Sequence, residues 1–138
     1  MSHLLDTNVV SEMTKRSRDP HVQAWLDSTN GPILHLSVLV LGEIRKGVEQ
    51  LRRRDPAQSG VYEAWLDRLQ REFSTRIIPI TADVAEEWGR LHSKRPLPVV
   101  DGLIAATARA RGLTLVTRNV KDFDGLAVKM VNPFEWPV

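Results

Sequence analysis

The chain has 138 residues, a size that suits one compact domain, 1–138, built on a single apolar core. It contains no cysteine, which excludes disulfides and thiolate metal sites, and no apolar run nears the roughly 20 residues needed to cross a bilayer. Net charge is only +2, yet the isoelectric point is near 9.3 and the bases cluster, as at Lys15-Arg16-Ser17-Arg18 and Arg52-Arg53-Arg54. Such patches suit a polyanion, although any single cluster also reads as a solvated helix face. The N-terminus, MSHLLDTNVV, lacks the basic and apolar regions of a secretory signal, so a soluble cytoplasmic protein without a membrane partner is expected.

In chain order, His3 to Leu5 reads as a buried strand that runs through Asp-Thr-Asn into a short helix over 8–14. Pro20 opens a second helix, with Val22, Trp25 and Leu26 on one face, and Asn30-Gly31-Pro32 stops it. Ile33 to Leu36 reads as the second strand. Ser37 then caps a long helix with Val38, Leu41, Ile44, Val48 and Leu51 on one side. Asp55-Pro56 breaks that helix, and residues 61–73 form the next. Arg76 to Ile80 is a third strand, and Thr81 caps the helix carrying Val84, Trp88 and Leu91. After a Pro96-Leu97-Pro98 loop, Asp101 is expected to cap an Ala-rich helix ending at Gly112. Leu113 to Val116 is the fourth strand, and a fifth is placed near Val128 to Val131. Alternating strands and helices mean an α/β fold: a central, mostly parallel sheet with helices on both faces.

Four acids stand out within this frame. Asp6 in LLDTNVV, Glu43 in LSVLVLGEI and Asp101 in PVVDGLIAA have apolar neighbours on both sides, and Asp122 follows the fourth strand in VTRNVKDFDG. An isolated buried carboxylate protonates, pairs or binds a metal. Each acid also has a local explanation. Asp101 is a cap worth about 1 kcal/mol; Asp6 is a cap or Asx-turn; Glu43 is a partner for Lys46; Asp122 is a turn residue. Strand-end placement would nevertheless bring them into one crevice beyond the sheet. Oxygen-only ligands select a hard cation, Mg²⁺ or Mn²⁺, and such an ion supports phosphodiester hydrolysis. His3, His21, His35 and His92 show no ligand spacing, and the four tryptophans fall mostly at core positions.

The segments LLDTNVVSE, LGEIRKGVE, VVDGLIAATARARG and TLVTRNVKDF, in that order, resemble the PIN domain, and more narrowly the VapC/FitB-type toxins of bacterial toxin–antitoxin pairs. The resemblance implies a PIN fold, an acidic site binding Mg²⁺ or Mn²⁺, endonucleolytic cleavage of RNA, a homodimer, and neutralisation by a small VapB/FitA-like antitoxin in the active-site groove. Asp6, Glu43 and Asp101 match the first three family acids. For the fourth, Asp122 is the charged candidate, while Asn119 stands where some relatives carry an acid. Asn8 would orient Asp6, and Thr117 and Asn119 would bond the metal's water shell or a phosphate. Arg118 is a candidate phosphate contact. Leu39, Val40 and the helix at 61–73 are candidates for a dimer or antitoxin surface. The competing expectation is a catalytically weak nucleic-acid-binding regulatory module acting with its antitoxin. A phosphoacceptor enzyme would want an acid two residues after Asp6, where Asn8 stands.

Overall fold

The computed structural model describes residues 2–137. The core strand β1 (His3–Leu5) lies at the centre of a five-stranded sheet. On one side it pairs with β2 (Leu34–Ser37), which pairs with β3 (Ile77–Ile78). On the other it pairs with β4 (Thr114–Val116), which pairs with β5 (Met130–Val131). Every pairing is parallel, giving the order β3-β2-β1-β4-β5. All three residues of β1 and of β4 are buried. Successive strand residues point to opposite faces, so the sheet is covered on both, as expected for an α/β fold.

The helices are α1 (Thr7–Glu12), α2 (Pro20–Ser28), α3 (Val38–Arg52), α4 (Pro56–Glu72), α5 (Ala82–Lys94) and α6 (Val99–Arg111). Local chemistry explains most of their ends. The Ser37 hydroxyl accepts from the Leu39 N–H, and Gly112 closes α6 in the left-handed region at φ 63°. Asp55 accepts from the Gln58 N–H, with Pro56 at the first helical position. Asp55-Pro56 therefore both ends α3 and starts α4, five residues before the helix expected at 61–73. The Thr81 hydroxyl donates to its neighbour Asp83 instead of accepting from the backbone.

One expectation is corrected. Asp101 does not cap α6; Pro98 stands at that position, and Asp101 lies in the first helical turn. Its side chain is consequently free to face the sheet's end. Another correction concerns Val40, which is fully buried in the core and offers nothing to a partner surface. Helices α5 and α6 pack closely enough to need Gly102, where an added Cβ would meet Trp88 Nε1 at 3.0 Å. The absence of a side chain there lets the helix bearing Asp101 lie close against α5.

A candidate acidic active site at the strand ends

From β1 the chain order in the sheet runs outward to β2 and β3 on one side and jumps to β4 and β5 on the other. The reversal between β1 and β4 is where such sheets open a crevice at their carboxyl ends. Asp6 and Thr117 are the residues that leave those two strands there. The Asp6 N–H still donates to Val116 O at 2.9 Å, extending the ladder by one rung to the crevice.

Asp6 is 5% exposed, and both of its carboxylate oxygens accept hydrogen bonds. Oδ1 accepts from the Thr7 N–H at 2.8 Å and so caps α1. Oδ2 accepts from the Thr117 hydroxyl at 2.8 Å and from Asn8 Nδ2 at 3.4 Å. The Asn8 amide also reaches the Thr117 hydroxyl at 3.4 Å and accepts from the Arg118 N–H at 3.2 Å. Thr117, itself fully buried, accepts from the Asn119 N–H at 3.0 Å. Two tripeptides, Asp-Thr-Asn at the start of α1 and Thr-Arg-Asn after β4, thus interlock side chain to backbone. Burial still pushes the Asp6 carboxyl above its ordinary value, with Glu43 and Asp122 adding to the rise, while the bonds from Thr117 and Thr7 pull the other way.

Asp101 is half-buried and is also pushed up. Burial is the main cause, followed by the charges of Asp6, Glu43 and Asp122. Asp6 and Asp101 therefore both feel the charges of Glu43 and Asp122 across the strand ends. Glu43 is exposed, at the edge of a groove it shares with Ile44, Val48 and Leu51, and its Oε1 accepts from the Thr7 hydroxyl at 2.5 Å. Asp122 is also exposed, on the 3₁₀ turn Val120–Phe123. None of the four forms an ion pair among the described residues. Nor do three Asp, Glu or His side chains among the described residues already stand in an arrangement that would hold a metal ion. The side chains would have to close further to bind one.

Arg118 projects beside the site yet pairs with none of its acids. Its guanidinium instead lies 4.6 Å from the centre of the Phe134 ring. A groove of about 470 Å³ starts at Thr7 and Glu43 and runs over Ile44, Leu51 and Trp65 to Arg54, between α1, α3 and α4. Sequence reasoning passed over Thr7, although it is the middle of the motif that singled out Asp6. It also passed over Glu12, which is buried at the end of α1. There it accepts from the Asp19 N–H at 2.9 Å and pairs with Lys15 at 2.9 Å, fastening the α1–α2 loop. Its pattern, a glutamate in a polar stretch, gave no signal of burial.

Comparison with known proteins agrees with this architecture. The model of the PIN domain family matches residues 3–129. The VapC ribonuclease Y4jK of Sinorhizobium fredii is 31% identical, over 96% of this chain and 97% of its own. The FitAcB crystal structure from Neisseria gonorrhoeae superposes with a TM-score of 0.87 at 33% identity, covering 96% of this chain and 98% of that one. A toxin–antitoxin complex from Klebsiella pneumoniae superposes with a TM-score of 0.70 at 28% identity, covering 96% and 98%.

Proposed function

Because this chain belongs to the PIN-domain family, among its VapC/FitB-type members, we propose that it is a divalent-metal-dependent endoribonuclease and the toxin of a toxin–antitoxin pair. The observation that carries the proposal is the gathering of four carboxylates without an ion-pair partner among the described residues at the switch point of the sheet, where Glu43 and Asp122 add to the rise of the Asp6 and Asp101 carboxyls. Fixed repulsion of this kind is relieved by a cation, and an all-oxygen donor set suits Mg²⁺ or Mn²⁺. Asp6, Glu43, Asp101 and Asp122 would hold it. Such an ion lowers the pKa of bound water and offsets the charge that develops on a phosphoryl oxygen.

The chain's own groups do the rest. Thr117, Asn8 and the Thr7 N–H fix the orientation of Asp6, as outer hydrogen bonds fix metal ligands generally. Thr7 ties Glu43 to the same helix start. Arg118, immobilised on Phe134 and with no carboxylate partner, offers its N–H groups to a substrate phosphate. Asn119, whose N–H is spent on Thr117, leaves its amide available to the same phosphate.

The antitoxin would be a small VapB/FitA-like protein. Support comes from the neighbouring toxin–antitoxin complex and from the groove beside Glu43, whose apolar floor suits an amphipathic segment. An arginine from such a partner, placed among the acids, would neutralise them as a metal does. A homodimer is part of the same proposal, and Val61 on α4, which is 59% exposed, is an apolar residue that it could cover. No helix among the described residues is long and apolar enough to cross a membrane. A cytoplasmic location is part of the proposal, since that is where the RNA substrate would be met.

Incubating the purified protein with total RNA, in Mg²⁺ or Mn²⁺ and in EDTA, tests the proposal. Cleavage confined to the metal-containing reactions is expected. RNA binding with no metal-dependent cleavage would overturn it in favour of a regulatory nucleic-acid-binding module.

A further inference from the structure

Of the four acids, Asp122 has the least support from its own backbone. It sits on a single 3₁₀ turn, and the chain beyond it passes through Gly125 at φ 81° and Ala127 at φ 54°. A non-glycine residue in the left-handed region is uncommon and persists when surrounding contacts impose it. Here those contacts come from outside the segment. Phe123 and Leu126 are buried as apolar pegs. Arg95, the first residue past α5, spans the turn: Nη2 donates to the Asp122 carbonyl at 2.8 Å and Nη1 to the Asp124 carbonyl. From α6, Arg109 donates to the Leu126 carbonyl at 3.0 Å, and its Nε pairs with Glu87 of α5 at 2.7 Å.

Two guanidiniums thus hold three carbonyls of one segment against α5 and α6. Arg95 forms no ion pair among the described residues, so its fork is committed to the backbone. Bonding the carbonyl of Asp122, not its carboxylate, leaves that carboxylate unneutralised. A planar fork spans two carbonyls at once, which a single ammonium does not do with the same fixed geometry. Lys94-Arg95 and Arg109-Ala110-Arg111 are two more clusters of bases that residue order alone would offer to a polyanion. The structure gives their arginines other work.

We propose that Arg95 is a positioning residue for the acidic site: by clamping the Asp122 and Asp124 carbonyls, it aims the Asp122 carboxylate towards Asp6 and Asp101. The inference rests on the reading of Asp122 as a member of that site. Mn²⁺ binding, followed by the EPR signal of the free ion, tests it without recourse to catalysis. The proteins needed are the full-length wild type, Asp122→Ala, Arg95→Met, the Arg95→Met/Asp122→Ala double variant and Arg95→Lys, each with its Tm measured.

If Arg95 acts through Asp122, Arg95→Met weakens Mn²⁺ binding about tenfold, the lower end of what losing an outer partner of a metal ligand costs, and Asp122→Ala, which removes the ligand itself, weakens it at least as much. The double variant then binds no more weakly than Asp122→Ala alone, since two residues acting as a unit are not additive. Arg95→Lys, which keeps the charge and folds even if Arg95→Met does not, falls between the wild type and Asp122→Ala. Wild-type binding by Arg95→Met or Arg95→Lys overturns the clamp while Asp122→Ala still binds weakly. A double variant weaker than either single variant overturns it too, because Arg95 would then act elsewhere. If Asp122→Ala itself binds as the wild type does, it is the reading of Asp122 that fails, and the clamp fails with it.

Discussion

Two groups of carboxylates in this molecule use the same side chains in opposite ways. On the α3–α4 hairpin, Glu49 and Glu63 are bracketed by Arg45 and Arg52, with contacts from 2.5 to 3.2 Å. Hydrogen bonds from those arginines hold both carboxyls below their ordinary values. At the strand ends, Asp6 and Asp101 have no cation beside them, and burial with the neighbouring acids pushes both up, for Asp6 despite its hydrogen bonds from Thr117 and Thr7. The chain has arginines close to both groups. Near the acidic site, however, Arg118 lies on Phe134 and Arg95 holds carbonyls, so neither neutralises an acid. The first group is internally balanced; the second keeps a charge deficit that an added cation can fill.

The largest effect that would sharpen this contrast is on cleavage. Asp6→Ala and Asp101→Ala should each reduce metal-dependent RNA cleavage by more than the about 100-fold typical of losing an outer partner of a metal ligand. An Asp6→Ala protein cleaving at the wild-type rate would show that the site is elsewhere. Next in size, Thr117→Val removes the hydroxyl that donates to Asp6 and accepts from the Asn119 N–H, with little change in volume. Cleavage should fall about 10- to 100-fold with a smaller change in Tm. An equal loss in a Tm-matched core variant would mean that stability, not orientation of Asp6, was responsible.

A smaller effect is on stability and carries a definite sign. The folded-state pKa values of Asp6 and Asp101 lie above their ordinary 3.8, so the stability they favour is fully present below that value. It is lost as pH rises through the raised values. Metal-free Asp101→Asn should therefore melt about 1–4 °C higher than the wild type at neutral pH, with the gain shrinking on acidification. A gain that persists unchanged at pH 3.5 would exclude charge repulsion as its cause. The smallest effect belongs to the balanced group. Glu63→Gln should leave cleavage intact and shift Tm only slightly, because exposed ion pairs contribute little. A large Tm loss there would break the contrast by making the hairpin pairs structural anchors.

The elements and their order were legible in the sequence because hydrophobic period, Ser37, Pro20 and Gly112 act within a few residues of one another. Helix starts were less so. Asp101 has the side chain of a cap, yet Pro98 and Val99 begin α6 earlier, since a cap preference of about 1 kcal/mol yields to packing of the helix against α5. Asp6 was found through its apolar neighbours, and burial bears that argument out. For Glu43 the same argument chose a residue that is exposed, because apolar neighbours along the chain do not say what covers each face of a helix.

By itself the sequence determined the α/β alternation, the parallel sheet and the four acids worth following, since these depend on periodicity and on the cost of placing charge among apolar residues. Only the tertiary structure decided how those acids relate. The β1–β4 switch point joins Asp-Thr-Asn to Thr-Arg-Asn across 111 positions of chain from Asp6 to Thr117. The assignment of Arg95 to backbone carbonyls and Arg118 to a ring was likewise settled there. A guanidinium's partner depends on which groups lie within hydrogen-bond reach, and that distance is a property of the packed chain, not of residue order.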